Sequence, residues 1–322
     1  MPAIITHYLM SKACLDSLGD NNAVKCIKQY SEVFFLGAQY PNILLFALGN
    51  RELNQLGERM HSEGISGFFA ECINRIRKTA IHEGRNELTA FVAGVLCHYA
   101  LDTCTHPYIY YKTGFFNDDG HLKGESVIRH HFLETTIDVI LANDLEDSSP
   151  YSLNTVEKFS VRSKTRILIG QFLSDTIASS YDVFIYPEDY AKAMKDMAFV
   201  YRILRDKSGV KRVIAGALGK FFRGIGEAAA LMHYEPVKQL DYLNKKNNIW
   251  HYPWDDTIDI NLSFMDLYNK AVDDSRIYIT AFLKALYKQI DDKIALSIIG
   301  NKNFSTGLES PAKFLYYNIE FK

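Results

Sequence analysis

The chain has no Cys-x-x-Cys pair, and its five cysteines (Cys14, Cys26, Cys72, Cys97, Cys104) are odd in number and scattered. That pattern excludes a disulfide framework and leaves buried, reduced thiols. The opening MPAIITHYLM has neither the basic stretch nor the apolar core and cleavage site of a secretory signal. No run approaches the roughly 18–20 apolar residues of a membrane-spanning helix. The longest near the centre, Phe91 to Leu101, is broken by Gly94 and His98. These absences predict a soluble, cytoplasmic protein. Nor is there an excess of charge of one sign: the net charge is −2, which gives no overall pull toward nucleic acid or anionic membrane. No internal repeat stands out, and no composition break marks a domain boundary.

What the sequence does have is helical periodicity. Apolar residues recur at three- and four-residue spacing over 8–18, 22–35, 43–57, 65–82, 86–105, 125–143, 155–180, 187–206, 209–232 and 263–292. Ser263 with Asp266 reads as a capping box. Loops are predicted at 113–124, 143–152 and 244–262 from their Asn, Asp, Gly and Pro; the tail 303–322 has the pattern for a short strand around Phe314 to Ile319, with no convincing partner. The 322 residues, 48% of them hydrophobic, with 20 Tyr and 20 Phe, are enough for one large aromatic-rich core. The expected fold is all-α, a single multi-helix bundle domain spanning 1–322.

The segment from Ala93 to Pro107 (AGVLCHYALDTCTHP) carries His98, Asp102 and His106 at i, i+4 and i+8, one stripe of a helix. Pro107 disfavours helical geometry at the residue before it, so the helix is predicted to end there with His106 at its mouth. The surrounding Phe91, Val92, Val95, Leu96 and Leu101 make this an apolar helix. Buried histidines and a buried aspartate need partners, and one metal ion can serve three ligands on a line. A second stripe lies in RHHFLE (129–134): His130 and Glu134 are four apart, His131 and Glu134 three apart, and either histidine fits. A lone His–Glu pair is commonly a solvated surface pair; two stripes in one chain argue for a metal site. Imidazole with carboxylate suits zinc better than calcium or magnesium.

With these residues in view, the chain resembles the zinc-dependent phospholipase C family, the bacterial phosphatidylcholine-hydrolysing enzymes and alpha-toxin catalytic domains. Plant and fungal single-strand nucleases are more distant relatives. The matching stretches are Thr6-His7-Tyr8, Leu36 to Asn42 (LGAQYPN), the two histidine helices and, more weakly, Asn244 to Pro253 with Ser263 to Leu267. Together they span most of 1–290, leaving 291–322 as a C-terminal extension. The resemblance implies two or three zinc ions. One would take His61, His98 and Asp102; another His7 and shared Asp102, with the chain's N-terminal amine; a third His106, His130 and Glu134. It also implies a phosphate-ester substrate, phospholipid first, because zinc ions bring more positive charge than Asp102 and Glu134 return.

Asn42 stands where the family usually carries an Asp thought to orient or deprotonate the attacking water, and an amide cannot take a proton. The N-terminus departs too, offering Met1 or Pro2 instead of a processed Trp. The expected function is therefore zinc-dependent phosphodiester hydrolysis of the phospholipase C kind, with Asn42 and Asp102 as the catalytic positions. The alternatives are a non-catalytic metal and phosphate binder, or a nuclease. No basic, aromatic-lined groove near the ligands favours a nucleic-acid partner, and the absence of any His-Asp dipeptide counts against HD-type phosphohydrolases. Residues 205–226 form a basic amphipathic stretch suited to peripheral contact with anionic lipid, although a solvated face over a packed one is the commoner meaning of such a pattern.

Overall fold

The computed structural model describes residues 4–115, 125–219, 223–233 and 240–319. Helices dominate: α1 (Ile4–Ser17), α2 (Asn22–Gln29), α3 (Ser31–Gly37), α4 (Asn42–Leu45), α5 (Arg51–Met60), α6 (Ile65–Lys78), α7 (Arg85–Thr113), α8 (Glu125–Glu146), α9 (Thr155–Lys158), α10 (Ser163–Tyr181), α11 (Pro187–Leu204), α12 (Val210–Gly219) and α13 (Arg223–Ala230) precede a small hairpin. The hairpin pairs β1 (Trp250–Tyr252) with β2 (Asp255–Ile260), antiparallel, and α14 (Phe264–Leu286) and α15 (Asp292–Ile299) follow. The all-α expectation holds, with this hairpin the one sheet among the described residues. All five cysteines are free thiols.

The molecule is organised around α7, buried from Leu88 to Thr113 and packed against α1, α2, α3, α8 and α14. Its most apolar stretch is long enough to cross a membrane, but that stretch is wholly buried inside the fold. Gly37 and Gly94 let α3 and α7 cross at backbone contact: a Cβ on Gly94 would lie 1.9 Å from the Phe34 carbonyl oxygen. The predicted end of the helix at His106 is wrong, because α7 continues through Pro107 to Thr113. A mid-helix proline costs about 3 kcal/mol. Burying Tyr108, Ile109 and Tyr111 offsets that, at about 1.5–3 kcal/mol for each large side chain.

Other boundaries shift for local reasons. The 209–232 pattern is two helices, the 22–35, 43–57 and 155–180 patterns are each split in two, and the 143–152 loop begins only after α8 reaches Glu146. The 244–262 loop contains the hairpin, pinned by buried Trp250, whose Nε1–H donates to Leu262 O at 3.0 Å. No strand forms from Phe314 to Ile319. Leu315 and Tyr316 donate instead to the Pro253 carbonyl and Asn318 to that of Tyr111, so no ladder develops. The Ser263–Asp266 capping box is present in both directions, at 3.1 and 2.8 Å. His121, Lys220, Phe221, Phe222 and the N-terminal amine lie outside the described residues.

Candidate metal centre

His7 is placed by the seating of α1 on α8. The buried Asp138 carboxylate accepts hydrogen bonds from Ile5 N (3.0 Å), Thr6 N (2.7 Å) and Thr6 Oγ1 (2.6 Å), and from His233 Nε2 (2.9 Å). A carboxylate at a helix N-terminus satisfies N–H groups that have no intrahelical acceptor and meets the positive end of the helix dipole. The next residue is His7, whose ring lies flat on His98, with centroids 4.0 Å apart and planes 4° from parallel. His98, Asp102 and His106 project from one side of α7, as their spacing predicted, and α8 brings His130, His131 and Glu134 alongside.

Two groups converge. His7 Nε2 lies 3.3 Å from Asp102 Oδ1 and His98 Nε2 lies 3.0 Å from Asp102 Oδ2. His130 Nε2 and His106 Nε2 lie 2.9 and 3.6 Å from Glu134 Oε1. In each group the candidate ligand atoms sit within 4.8 Å of one another. His61, at the end of α5, is further out. Its Nε2 is 2.9 Å from Asn42 Oδ1 and 4.0 Å from Asp102 Oδ2, and its side chain is 15% exposed against 0% for Asp102. Asn42 opens α4 directly after the cis Tyr40–Pro41 peptide. Of the two α8 histidines, His131 is the more distant from the carboxylate, its Nδ1 3.8 Å from Glu134 Oε2.

Tautomers tell what these atoms can do. His98 Nδ1 donates to Ala38 O (3.0 Å), His106 Nδ1 to Phe304 O (3.0 Å) and His61 Nδ1 to Gly57 O (2.6 Å). A carbonyl can only accept, so each neutral ring carries its hydrogen on Nδ1 and turns a bare Nε2 lone pair inward. Those lone pairs face carboxylate and amide oxygens, which are also acceptors. Accordingly His7 Nε2, His98 Nε2, His106 Nε2 and both Asp102 oxygens are buried yet make no hydrogen bond among the described residues. A cation between acceptors resolves this. Tetrahedral zinc with bonds of about 2.0–2.1 Å needs ligand atoms roughly 3.3 Å apart, a value that the imidazole–carboxylate distances of 3.3, 3.0, 2.9 and 3.6 Å bracket.

The electrostatics point the same way. Burial pushes His7 down to about 4, helped by His98 and opposed by Asp102. Burial likewise takes His61 and His130 to about 3. Burial alone would raise Asp102 and Glu134, but the neighbouring imidazoles hold both well below the usual carboxylate range. His106 is the exception. Burial would lower it, yet Asp102 and Glu134 outweigh that and raise it. The result is ionised carboxylates beside mostly neutral imidazoles, the protonation states that bind metal.

The sequence profile described as zinc dependent phospholipase C matches residues 6–183, more than half of the chain. The chain belongs to the zinc-dependent phospholipase C family. The match takes in His7, Asn42, His61, Asp102, Glu134 and the other ligand candidates, and stops short of the hairpin, α14 and the C-terminal segment. Comparison with curated proteins and with solved structures finds no match.

Sequence reasoning missed Asp138, His233 and Phe304. Asp138 had a signal: His130, Glu134 and Asp138 repeat at i, i+4, i+8, the same stripe as on α7. For the Phe304 carbonyl no signal exists, because a backbone acceptor carries no side-chain identity.

Proposed function

We propose that the protein is a zinc-dependent phosphodiester hydrolase of the phospholipase C kind, acting on phospholipid or a related phosphate ester. The observation that carries this reading is the convergence of bare imidazole nitrogens and ionised carboxylates in two adjoining buried groups. His98, Asp102 and His7 would hold one ion, with His61 at its outer edge, and His106, His130 and Glu134 another. A third ion would share Asp102. Zinc held there would supply positive charge to a phosphodiester and make water acidic enough to attack near neutral pH.

The chain's own residues shape the rest. Asp102 faces His7 and His98 at hydrogen-bonding distance, so it would orient both toward one point. His61 is the most exposed of the candidate ligands and would meet substrate first, with the buried Asn42 against its Nε2. Asn42 cannot accept a proton, so general-base help worth about 10²–10⁴ in rate is missing at that position. Slow turnover is the expectation. A non-catalytic metal and phosphate binder is the rival that Asn42 favours. Membrane contact fits α12, whose Val210, Val213, Ile214 and Leu218 are exposed near Arg205, Lys207 and Lys211.

The test is release of phosphorylated head group from phosphatidylcholine by the zinc-loaded protein, with nucleic acid and a simple diester as parallel substrates. Asn42→Asp, at matched zinc occupancy, is expected to be faster. Hydrolysis of none of the three by either form transfers the case to the binder.

A further inference from the structure

The C-terminal loop 303–307 lies outside the family match, some 200 residues along the chain from α7, yet it closes over the metal centre. It is a self-tied turn: Asn303 Oδ1 accepts from Ser305 N (2.8 Å) and Thr306 N (3.2 Å), and Gly307 N donates back to Asn303 O (2.8 Å). The residue it presents is Phe304. Phe304 N donates to the carbonyl of His61 at 2.8 Å, and Phe304 O accepts from His106 Nδ1 at 3.0 Å. One residue thus fastens two histidines from different helices. Its ring, 3% exposed, stands 5.1 Å from the His61 ring and 5.9 Å from the His98 ring. Beside it, Ser305 Oγ meets Tyr110 Oη at 3.2 Å, and the Tyr110 ring lies 5.1 Å from that of His130.

The loop fits its place on α7 closely. Pro107 has no N–H, so the carbonyl of Thr103, four residues earlier, receives no helical hydrogen bond from it. Gly307 packs against that same carbonyl: a Cβ there would come within 2.5 Å of Thr103 O, and φ is +69°, a region that favours glycine. The proline that interrupts the helical ladder and the glycine that seats the loop are two sides of one contact.

We propose that Phe304 is a positioning residue of the metal centre, its carbonyl setting the tautomer and direction of His106 and its ring shielding His61 and His98 from water. The proposal rests on the reading of the two groups as metal-holding. Carbonyl partners of ligating histidines typically change metal affinity by about 10–100-fold when lost. The loop therefore controls how tightly metal is held and how fast it leaves.

The test uses the full chain loaded with cobalt(II), whose visible spectrum reports ligand geometry. Gly307→Ala, which lifts the loop off Thr103, is expected to weaken cobalt binding by about 10–100-fold and to alter the visible bands. Phe304→Ala is expected to speed cobalt loss to a chelator at least tenfold with stoichiometry unchanged, and Phe304→Leu to restore most of the retention. The melting of each metal-free variant separates folding from positioning, since only a positioning role moves the spectrum at saturating cobalt. If wild type takes up cobalt and the variants match it in affinity, spectrum and loss rate, the proposal is overturned. A fold-only effect, with lower metal-free melting but an unchanged spectrum, overturns it as well. If wild type takes up no metal, the metal reading itself fails.

Discussion

Gly94→Ala is the substitution that most directly tests how the fold builds the site. The new Cβ would sit 1.9 Å from Phe34 O and 2.8 Å from Ala38 N, both backbone atoms of the α3 region that cannot rotate away. Restoring ordinary contact requires the α3 backbone to retreat about 1.5 Å. The same retreat stretches the 3.0 Å bond from His98 Nδ1 to Ala38 O beyond hydrogen-bonding range. Overpacking costs about 1–3 kcal/mol, and a stranded buried donor about 1–3 more. Alanine's helix propensity returns only about 0.5–1 kcal/mol. The net is a loss of about 2–4 kcal/mol, or about 3–6 °C in melting temperature for a chain of this size. Gly67→Ala in α6 is the control: a Cβ there meets nothing within 4 Å, so it should be neutral or slightly stabilising. Circular-dichroism melts of the metal-free proteins, with zinc titrations at a temperature where both are folded, make the comparison. Gly94→Ala melting at or above wild type would refute the backbone crossing of α3 and α7.

Asp138→Asn leaves an amide among four donors; it should cost about 1.5–3 kcal/mol and weaken zinc binding through His7, measured by urea unfolding and metal titration. His130→Ala should reduce zinc per chain more than His131→Ala, because His130 Nε2 is 2.9 Å from Glu134 and His131 Nδ1 is 3.8 Å away; equal losses in metal analysis would reverse the assignment. Metal-free protein should lose stability on acidification. The unfolded chain protonates His7 near 6.5 but the fold resists until about 4, so stability falls across that window by on the order of 3 kcal/mol from His7 alone. His61 acts in the same sense, while raised His106, whose contribution is present below 6.5 and lost as pH rises through its folded value, opposes them. Equal melting at pH 7.5 and 5 would count against the buried neutral imidazoles. Val213→Asp with Ile214→Asp on α12 should reduce sedimentation with anionic phospholipid vesicles without changing zinc content; unchanged co-sedimentation would remove the lipid reading of that face.

How much of this could be read from residues alone follows from the range of the interactions. The stripes on α7 and α8 were legible because i, i+4 spacing is local, and the Ser263–Asp266 box for the same reason. The end of α7 was misplaced because the proline rule is a local cost, while the burial that overrides it comes from Trp250, Phe264 and other residues distant in sequence. The hairpin leaves a loop-like signature in the sequence, since its two short strands are divided by Pro253 and Trp254 and held mainly by one tryptophan. That His7 lies flat on His98 depends on Asp138 drawing in the start of α1, a contact spanning more than 130 residues.

Asp102 is the group that most needs a cation beside it. Its carboxylate is fully buried and ionised, and four imidazoles lie within 4.0 Å of it. Taking such a charge out of water costs several kcal/mol unless it is compensated. Protons on His7 and His61 would serve, but burial holds them near 4 and near 3, so both are neutral at physiological pH, and His106, which is raised, turns its Nε2 to Glu134 instead. The carbonyls of Ala38, Gly57 and Phe304 bind the Nδ1–H groups, so the three rings cannot turn those hydrogens toward the carboxylate either. Three separate segments of backbone therefore fix the Nε2 atoms of His98, His106 and His61 toward Asp102, Glu134 and Asn42. That arrangement suits a positive ion, which is the physical sense in which a metal centre fits this fold.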